Sequence, residues 1–473
     1  MKTDTIAAIA TALSDSGIGI IRVSGDEAFE IVGRIYRNKR NEKTLAKYDS
    51  HTIHYGYITE EEGAVIDEVM VSVMKSPRSY TTEDTVEINC HGGILMMRKI
   101  LETVIKAGAR IAEPGEFTKR AFLNGRIDLS RAEAVMDIIH AKNDFALQSS
   151  VKQLKGSVSD KVRNLRDDIL YEIAFIESAL DDPEHISLDG YHEILSEKTD
   201  MLMTELDKLL VSADDGRMLK EGIHTVIVGK PNAGKSSLLN LIVGEDKAIV
   251  TDIAGTTRDT LEEVVSLGGI SLNIIDTAGI RSTEDVVEKI GVERAKKISV
   301  DADLILYVVD SSMPLDENDR DIIQLIQDKN TIILLNKSDL DEIVREEDVI
   351  HEINRIRNDK TENALRVVRT STKFDSGIEE LIHLIKDMFF HGKISYNDEV
   401  YITNMRHKEA IQDAKDSILQ VRKSLDMDMP EDFYSIDLMS AYASLGKIIG
   451  EEVGDDLVNE IFSRCVTAFF HYE

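Results

Sequence analysis

The sequence has no tryptophan, and only two cysteines and six prolines among its 473 residues. Cys90 and Cys465 cannot build a disulfide framework, and neither has histidine or cysteine neighbours at the spacing of a zinc site. This cysteine usage is typical of a reducing compartment. Because 42% of the residues are hydrophobic and 30% are charged, we expect a helix-rich globular chain of about three domains.

Long hydrophobic runs are also missing. No apolar segment reaches the roughly 18 residues that a membrane-spanning helix needs. The N-terminal stretch lacks the basic start and unbroken apolar core of a signal peptide. We therefore predict a cytoplasmic protein with no membrane segment.

Basic residues are scarce relative to acidic ones: 56 against 87, a formal net charge of −31. Phosphate neutralisation dominates affinity for nucleic acids, so this balance argues against an RNA partner over most of the surface. A local basic patch is compatible with a negative total, and net charge leaves the question open.

The pattern of apolar residues changes at three points along the chain and so divides it into four segments. Short β-rich runs with one helix over Ile94–Lys106 predict an N-terminal α+β domain at residues 1–120. Helical spacing then dominates 121–218, as in Leu165, Ile169, Ile173, Ile176 and Leu180. Apolar runs at 219–388 (TVIVG, LNIID, LILYVVD, TIILLN) indicate strands buried on both faces, hence an α/β domain with a mostly parallel sheet. Helical periodicity returns at 389–473, so the fold class is multidomain, with the α/β domain inserted into an all-helical one.

A phosphate-binding loop follows the first apolar run of the α/β domain. Gly229–Ser236 reads G-x-x-x-x-G-K-S between a strand and a helix, the context that this motif requires. Its glycines let main-chain N–H groups approach a phosphate, and Lys235 supplies a cation to the β/γ oxygens. Ser236 is a predicted Mg²⁺ ligand. The alternative, a glycine-rich turn that binds nothing, is disfavoured by three further motifs.

Each of these motifs stands at a predicted strand end. Asp276–Gly279 places a carboxylate near the metal's water shell and a glycine amide near a γ-phosphate. Asn336–Asp339 ends in a carboxylate that can accept two hydrogen bonds from guanine but not from adenine. The main chain of Ser371–Lys373 is predicted to support the guanine O6. The base is therefore predicted to be guanine.

A threonine-rich loop at residues 251–259 is interpretable either as a solvated loop or as a switch in which Thr257 closes on Mg²⁺ when the γ-phosphate is present. The predicted nucleotide-binding residues are Asn232, Ala233, Gly234, Lys235, Ser236, Ser237, Thr251, Asp252, Ile253, Ala254, Gly255, Thr256, Thr257, Asp276, Thr277, Ala278, Gly279, Asn336, Lys337, Asp339, Ser371, Thr372 and Lys373.

Together with these motifs, the strings TDIAGTTRD, DTAGIR, VEKIGVERA, SYTTEDTVEINCHGG and PGEFTKRAFLNGRIDLSRAEAVMDII make the chain resemble the MnmE family, also called TrmE, over almost its whole length. The resemblance implies a K⁺-stimulated GTPase, activated when its G domains dimerise. A K⁺ ion can take the place of an arginine beside the β/γ oxygens. By resemblance, Asn232, Thr251, Ile253 and Thr256 form the K⁺ site.

Catalysis needs a residue that orients water. Arg281 stands where many small GTPases carry a glutamine, and the resemblance instead points to Glu288, acting through a water after dimer closure. From the residues alone, Glu288 reads as a solvated helix position.

The first domain is similar to the family's folate-binding and dimerisation domain. The resemblance assigns Arg22, Glu87 and Arg126 to a 5-formyl-tetrahydrofolate or a related one-carbon folate, with the carboxylate suited to the donor edge of the pterin. Without the family, each reads as a surface charge. Gly92 and Gly93 are interpreted as a tight turn.

The family also implies a homodimer and an FAD-containing partner, MnmG, in a heterotetramer. Together they install an aminomethyl or carboxymethylaminomethyl group on the wobble uridine of certain tRNAs. The net charge of −31 opposes tRNA binding, and we infer that the partner supplies much of the tRNA electrostatics. Glycine and ammonium both stay open as the amino donor.

The sequence differs from the family's pattern in three places. Cys465 is followed by Val466-Thr467-Ala468 instead of the family's Cys-x-Gly-Lys ending, which casts doubt on a catalytic role for that thiol. Residues 12–16 replace a proline- and glycine-rich turn, and Thr82 stands where a glycine is common. The latter change matters if the backbone there has a positive φ.

Two other functions stay open from the sequence. One is a GTP-regulated assembly or ribosome-associated switch without modification activity, which the altered ending favours. The other is a folate aminomethyltransferase with a vestigial G domain, which the complete nucleotide motifs disfavour.

Overall fold

The structure is a computed structural model, which describes residues 4–38, 45–60, 63–245, 262–275, 302–326, 329–357, 365–390 and 401–451. Its contacts divide the chain into two compact units. The first comprises Met1–Met136 with Gly446–Glu473, and the second comprises Asp137–Leu445. Within the described ranges, no helix has the length and apolar character that a membrane span requires.

The first unit is built on a seven-stranded sheet. Its strands are β1 (Ile6–Ile9), β2 (Ser16–Ser24), β3 (Tyr36–Arg37), β4 (Thr52–Thr59), β5 (Val65–Met74), β6 (Thr85–Gly92) and β7 (Arg110–Ile111), and its helices are α1 (Ala28–Ile35), α2 (Ile94–Lys106) and α3 (Glu116–Leu123). The order is β3-β4-β5-β6-β2-β1-β7, antiparallel except for the β1–β7 pair. The helix predicted at Ile94–Lys106 is confirmed as α2.

The alternation of side chains along these strands separates a core face from a polar face. Val23, Val86 and Ile88 are buried and belong to one core cluster with Ile31 of α1 and Met97 of α2. Their sequence neighbours point the other way, and this opposite face carries the cross-strand pair of β2 and β6 described below. The α+β prediction for the first domain is confirmed.

The prediction of a tight turn at Gly92 was wrong. It lies in β6, opposite Ser16 of β2, and a Cβ at this position would lie 2.4 Å from the Ser16 carbonyl oxygen. The glycine therefore allows close approach of two strands instead of forming a turn. Gly93 has an extended backbone at the N-terminus of α2.

Helix α4 (Leu129–His140) precedes the long helices of the second unit. These are α5 (Asp144–Lys155), α6 (Ser157–Asp181), α7 (Tyr191–Glu221), α12 (Met405–Asp426) and α13 (Glu431–Ile449), whose last four residues are counted with the first unit. Leu165, Ile169, Ile173 and Ile176 are buried along α6, as their spacing predicts. Leu180 does not follow them: it is 39% exposed, and Ala179 is buried in that turn instead.

A six-stranded sheet lies between these helical segments in the chain. Its elements are β8 (Ile223–Val228), α8 (Lys235–Glu245), β9 (Glu262–Leu267), β10 (Ile270–Ile275), β11 (Leu304–Asp310), α9 (Glu317–Ile326), β12 (Thr331–Asn336), α10 (Glu346–Arg357), β13 (Arg366–Arg369) and α11 (Ile378–Phe390). The order is β13-β12-β11-β8-β10-β9, and β9 is antiparallel to β10 while the other pairs are parallel.

Strand β11 shows why these runs are apolar throughout. Alternate residues, including Leu306 and Val308, pack in a cluster with α8 and α11. The intervening Tyr307 and Val309 pack in a second cluster with α9 and α10. The sheet is therefore buried on both faces, and the predicted mostly parallel α/β fold is confirmed. Since the carboxyl ends of parallel strands meet at one edge, the loops after β8, β12 and β13 converge there.

Candidate functional site

The loop after β8 is packed so tightly that side chains are excluded at its glycines. Gly234 has a φ of +102°, and a Cβ there would lie 2.0 Å from Nδ2 of Asn336. At Gly229 a Cβ would lie 2.3 Å from the carbonyl oxygen of Val308. Asn232 also has a positive φ, of 62°, a conformation that asparagine tolerates better than most residues. These main-chain conformations form the concave turn that a phosphate loop needs.

Lys235 begins helix α8, and its ammonium group folds back over this loop. Nζ donates to the carbonyl oxygens of Gly229 and Lys230, each at 2.7 Å. Burial lowers the pKa of Lys235 from its ordinary value. Both acceptors are neutral carbonyls, so the lysine's positive charge remains available to an anion at the helix N-terminus.

Asn336, at the end of β12, joins the loops of this edge. Its Nδ2 donates to the carbonyl oxygen of Ala233 at 2.8 Å, and its Oδ1 accepts from the main-chain N–H of Thr372 at 3.4 Å. A single amide side chain thus links the loops after β8 and β13. Sequence reasoning placed Asn336 in the base motif but missed this bridging role.

Asp339 lies three residues beyond Asn336 and is oriented by the β13 loop. The hydroxyl of Ser371 donates to Asp339 Oδ1 at 2.7 Å. This bond leaves the carboxylate further lone pairs for two parallel donors, the arrangement that the guanine edge offers. Sequence reasoning gave Ser371 a main-chain role, whereas its side chain holds the carboxylate.

Lys337 and Lys373 belong to the same two motifs as Asp339 and Ser371, and each has another partner. Lys337 has a φ of 62° and donates to Asp310 Oδ2 at 2.6 Å. Burial of Asp310 opposes its ionisation, but the bonds from Lys337 and Ser312 outweigh it, and the net effect lowers the pKa of Asp310. Nζ of Lys373 lies 5.3 Å from the ring centre of Phe374.

In the first unit, the polar face of the sheet carries a separate cluster. Arg22 of β2 and Glu87 of β6 are directly opposite each other. Two nitrogens of the Arg22 guanidinium, Nε and Nη2, each lie 2.8 Å from Glu87 Oε1. Both contacts are made to Oε1, and none to Oε2 is seen among the residues that the structure describes.

An aromatic ring lies between Arg22 and Arg126. The ring centre of Tyr80 is 5.4 Å from Cζ of Arg22 and 4.9 Å from Cζ of Arg126, and Arg126 Nη1 donates to the Tyr80 carbonyl oxygen at 2.9 Å. Phe117 lies 5.5 Å from the Arg22 guanidinium. The structure therefore brings Arg22, Glu87 and Arg126 together around Tyr80.

A buried ionic network holds the loop that carries Tyr80. Glu83 accepts from Arg120 Nη1 at 3.1 Å and from the Ser24 hydroxyl at 2.8 Å, and Arg120 also pairs with Glu116 at 2.9 Å. Thr82, inside this loop, has a φ of 63°. The replacement of the family's usual glycine by Thr82 therefore matters, because a β-branched residue occupies a left-handed conformation there.

Comparison with known proteins adds to this geometry. The family model for the MnmE helical domain matches residues 129–465, and the one for the N-terminus of GTP-binding protein TrmE matches residues 5–126. The tRNA modification GTPase MnmE of Lachnoclostridium phytofermentans is 58% identical over 466 residues, covering 98% of this chain and 99% of the relative. The Bacillus subtilis protein of the same name is 46% identical, with 98% and 99% covered.

The chain belongs to the MnmE family. Among solved structures, the G domain of the T. maritima FeoB iron transporter covers 36% of this chain and 98% of its own, at 25% identity and a TM-score of 0.25. A TM-score this low carries no weight here, and the family assignment depends on the matches along the whole chain.

Several predicted residues of this MnmE-family chain lie outside the described residues. These are Thr251, Asp252, Ile253, Ala254, Gly255, Thr256, Thr257, Asp276, Thr277, Ala278, Gly279, Glu288 and Cys465. Their roles stay predictions. The described part brings together the residues after β8, β12 and β13.

Two residues were missed in the first unit: Tyr80 and Phe117. The available signal was weak, because a single aromatic residue is unremarkable in sequence, whether in a polar loop like Tyr80 or in a short helix like Phe117. Only the fold brings Tyr80 between two arginines that are 104 positions apart in the chain, counted from Arg22 to Arg126.

Proposed function

We propose that this chain is a K⁺-stimulated GTPase that, with an FAD-dependent partner, takes part in aminomethyl or carboxymethylaminomethyl modification of the wobble uridine of certain tRNAs. The observation that carries the proposal is the meeting of the phosphate loop with Asp339 at one sheet edge. It is supported by relatives named tRNA modification GTPase MnmE that match 98% of the chain.

Different residues of the chain bind the different parts of a guanine nucleotide. The main-chain turn that ends at Gly234 and the ammonium of Lys235 bind the phosphates, and Asp339, held by Ser371, binds the base. Ser236 and Thr257 are suited to hold Mg²⁺ through their hydroxyls, with Asp276 toward its water shell. When bound, Mg²⁺ neutralises charge on the β/γ oxygens.

In the same proposal, Asn232, Thr251, Ile253 and Thr256 hold K⁺, and Glu288 orients water after G domains of two chains meet. The left-handed backbone of Asn232 turns the chain sharply at the first of these residues. K⁺, when bound, supplies the positive charge that an arginine supplies in other GTPases.

Hydrolysis rates in KCl and NaCl at equal ionic strength test the cation. We expect faster hydrolysis in KCl than in NaCl, because the proposed K⁺ site supplies positive charge beside the β/γ oxygens when the two G domains of the homodimer meet. Equal rates in the two salts would contradict the K⁺ site while leaving nucleotide binding intact.

We further propose that the cluster around Tyr80 binds 5-formyl-tetrahydrofolate or a related one-carbon folate. The free Oε2 side of Glu87 suits the donor edge of the pterin, Tyr80 offers a ring face, and exposed Arg126 suits the ligand's carboxylates. Arg22 contacts Glu87 and both aromatic rings, so it also fixes the carboxylate.

Calorimetric titration with 5-formyl-tetrahydrofolate tests this cluster. Glu87→Gln keeps the side-chain volume but removes the charge that both Arg22 and the pterin need, so we expect affinity at least about tenfold weaker. Glu102→Gln, at an exposed position of α2, is the matched control. Equal folate affinity in both variants would exclude Glu87 from the site.

The remaining parts of the proposal concern assembly. We propose a cytoplasmic homodimer that joins an MnmG-type FAD protein in a heterotetramer and acts on tRNA, with the partner supplying much of the positive charge that a chain of net charge −31 does not. The proposed domains are residues 1–120, 121–218, 219–388 and 389–473.

Expression in a strain that lacks the wobble modification tests the biological role. We expect mass spectrometry of tRNA nucleosides to show the modified uridine with this chain and not with Lys235→Met, since the variant loses the phosphate-binding ammonium. Failure of the unaltered chain, with normal GTP hydrolysis, would reject the modification role.

A further inference from the structure

The segment from the last residue of β11 to the first turn of α9, residues 310–319, contacts two lysines from two different nucleotide motifs. Asp310 accepts from Lys337 of the base motif at 2.6 Å. Asp319 and Asp316 lie 2.7 and 3.1 Å from Nζ of Lys230, the second residue of the phosphate loop. We call this segment the acidic brace. No motif identified in the sequence includes it.

Lys230 is the more deeply placed of the two lysines. Its side chain is 13% exposed and that of Asp319 is 0% exposed. The other oxygen of Asp319 accepts from the Tyr307 hydroxyl at 2.9 Å, and Oδ2 also accepts from the Asp316 main-chain N–H at 2.9 Å. The buried carboxylate is therefore fully engaged, with Lys230 supplying its balancing charge.

Electrostatics favour the charged form of Lys230. Burial alone disfavours the ammonium, but the bonds that it donates to Asp319 and Asp316 outweigh this effect, and the net result raises the pKa of Lys230. With its charge neutralised by two carboxylates, Lys230 is unsuited to be a phosphate ligand. It differs in this from Lys235, whose partners are neutral carbonyls.

The main chain of Lys230 connects this ion pair to the phosphate loop. Its carbonyl oxygen accepts from Nζ of Lys235 at 2.7 Å and from the N–H of Ala233 at 3.3 Å. Pro231 follows and restricts Lys230 to extended backbone conformations. A side chain anchored to Asp319 therefore fixes the carbonyl that orients the phosphate-binding lysine.

We propose that Lys230 is a positioning residue for the phosphate loop, and that the acidic brace holds this loop and the base motif in fixed relation through Asp319 and Asp310. The inference rests on the proposed nucleotide binding and deepens it. A merely structural ion pair would change the stability of the fold without changing the affinity of folded protein for nucleotide.

Equilibrium titration of the full chain with a fluorescent GDP separates these two roles. We expect Lys230→Met to weaken GDP binding at least about tenfold, because the loop loses its anchor and two carboxylates near the phosphates lose their counter-charge. The preference for GDP over ADP stays unchanged, since Asp339 and Ser371 are untouched. Lys198→Met, at an exposed position of α7, is the control and binds GDP as the unaltered chain does.

Three further variants sharpen the test. Lys230→Arg keeps the charge, and we expect it to recover GDP affinity to within about threefold of the unaltered chain. Asp319→Asn keeps the shape but removes the charge, so Lys230→Met should cost less in that background than alone. Asp316→Asn is a milder change that serves if Lys230→Met does not fold, with about threefold weaker binding expected because Asp316 is half exposed.

The outcomes are distinguishable. Lower thermal stability of Lys230→Met with GDP affinity within about twofold of the unaltered chain, both measured well below the unfolding temperature, would overturn the positioning role. Equal GDP affinity in Lys230→Met and Lys198→Met would do the same. Absence of GDP binding by the unaltered chain would instead reject the proposed nucleotide site.

Discussion

The two sheets of this chain build their polar sites in different ways. In the first unit, the candidate site side chains project from a mostly antiparallel sheet whose other face packs on helices, and Arg22 and Glu87 meet directly across strands. In the six-stranded sheet the central strands are buried on both faces, so most of their side chains form the core. The site there consists of loops beyond the strand ends, shaped largely by main-chain atoms.

This difference predicts different sensitivities to mutation. A loop that presents main-chain groups tolerates few changes of backbone, because each glycine is packed against another segment. A cluster of side chains on a sheet face depends on what holds those side chains in place.

The largest effect is expected at Gly234. Gly234→Ala forces a Cβ into a left-handed residue, 2.0 Å from Nδ2 of Asn336, so the loop must move. Left-handed strain and displacement together cost about 4 kcal/mol, which is about 1,000-fold in GDP affinity. Fluorescent GDP titration measures it.

Gly93→Ala is the matched control for this change. Its backbone has an ordinary φ of −69°, and a Cβ there meets nothing within 4 Å among the described residues. We expect nucleotide and folate binding to be unaffected. Retained GDP affinity in Gly234→Ala would show that the main chain of this loop is not the phosphate-binding element.

The next largest effect is expected at Arg120 in the first unit. Arg120→Met removes the cation from between Glu83 and Glu116, both about 9% exposed or less, and leaves two buried carboxylates without it. We expect about 3 kcal/mol lower local stability. Hydrogen exchange of the β6 amides then accelerates about 100-fold, and folate binding weakens because the Tyr80 loop is released.

Arg98→Met, at an exposed position of α2, serves as the control and should change β6 exchange by no more than about twofold. Unchanged exchange in Arg120→Met would mean that the ionic network does not hold the Tyr80 loop.

Ser371 tests the one place where the loop site depends on a side-chain contact. Ser371→Ala removes the hydroxyl that donates to Asp339, a bond to a charged acceptor, and we expect GDP affinity to fall about tenfold. Ser376→Ala is the control, since Ser376 is exposed and pairs with Ser371 through main-chain atoms alone. Equal affinities in the two variants would remove Ser371 from the base site.

Much of the fold could be predicted because its signals are local. The bounds of α2, the apolar runs of the parallel sheet and the strand–loop–helix context of Gly229–Ser236 all depend on residues adjacent in sequence. The prediction that Leu180 is buried was wrong because the apolar face of a helix can shift by one residue in its last turn. The neighbouring residue, Ala179, takes the buried position there.

Contacts between distant segments could not be predicted in the same way. Lys230 and Asp319 are 89 positions apart, and neither carries a sequence signal of its own. Tyr80 was missed for the same reason. The roles of individual side chains within a recognised motif, such as the bridge made by Asn336, also appear only once the loops are placed together.

The smallest effect is expected at Thr82, whose backbone is strained in the loop that carries Tyr80. Thr82→Gly relieves a left-handed β-branched residue with a φ of 63°, partly offset by the entropy of glycine in the unfolded chain. We expect a net gain of about 0.5 kcal/mol, seen as about twofold slower amide exchange in the Tyr80 loop.

The adjacent Thr81→Gly should have the opposite sign, because the Thr81 side chain is buried and its hydroxyl lies 2.6 Å from the Ser24 hydroxyl. Slower exchange in both variants would indicate that the loop responds to glycine generally and not to relief of strain at Thr82.

Calorimetric titration of the purified chain with GDP and with ADP tests whether the loop after β8 and Asp339 together form a guanine-nucleotide site. If the turn at Gly229–Gly234 binds phosphates while Asp339 selects the base, GDP binds with one equivalent per chain and ADP gives no measurable heat. No heat with GDP, or equal affinity for the two nucleotides, would contradict the account.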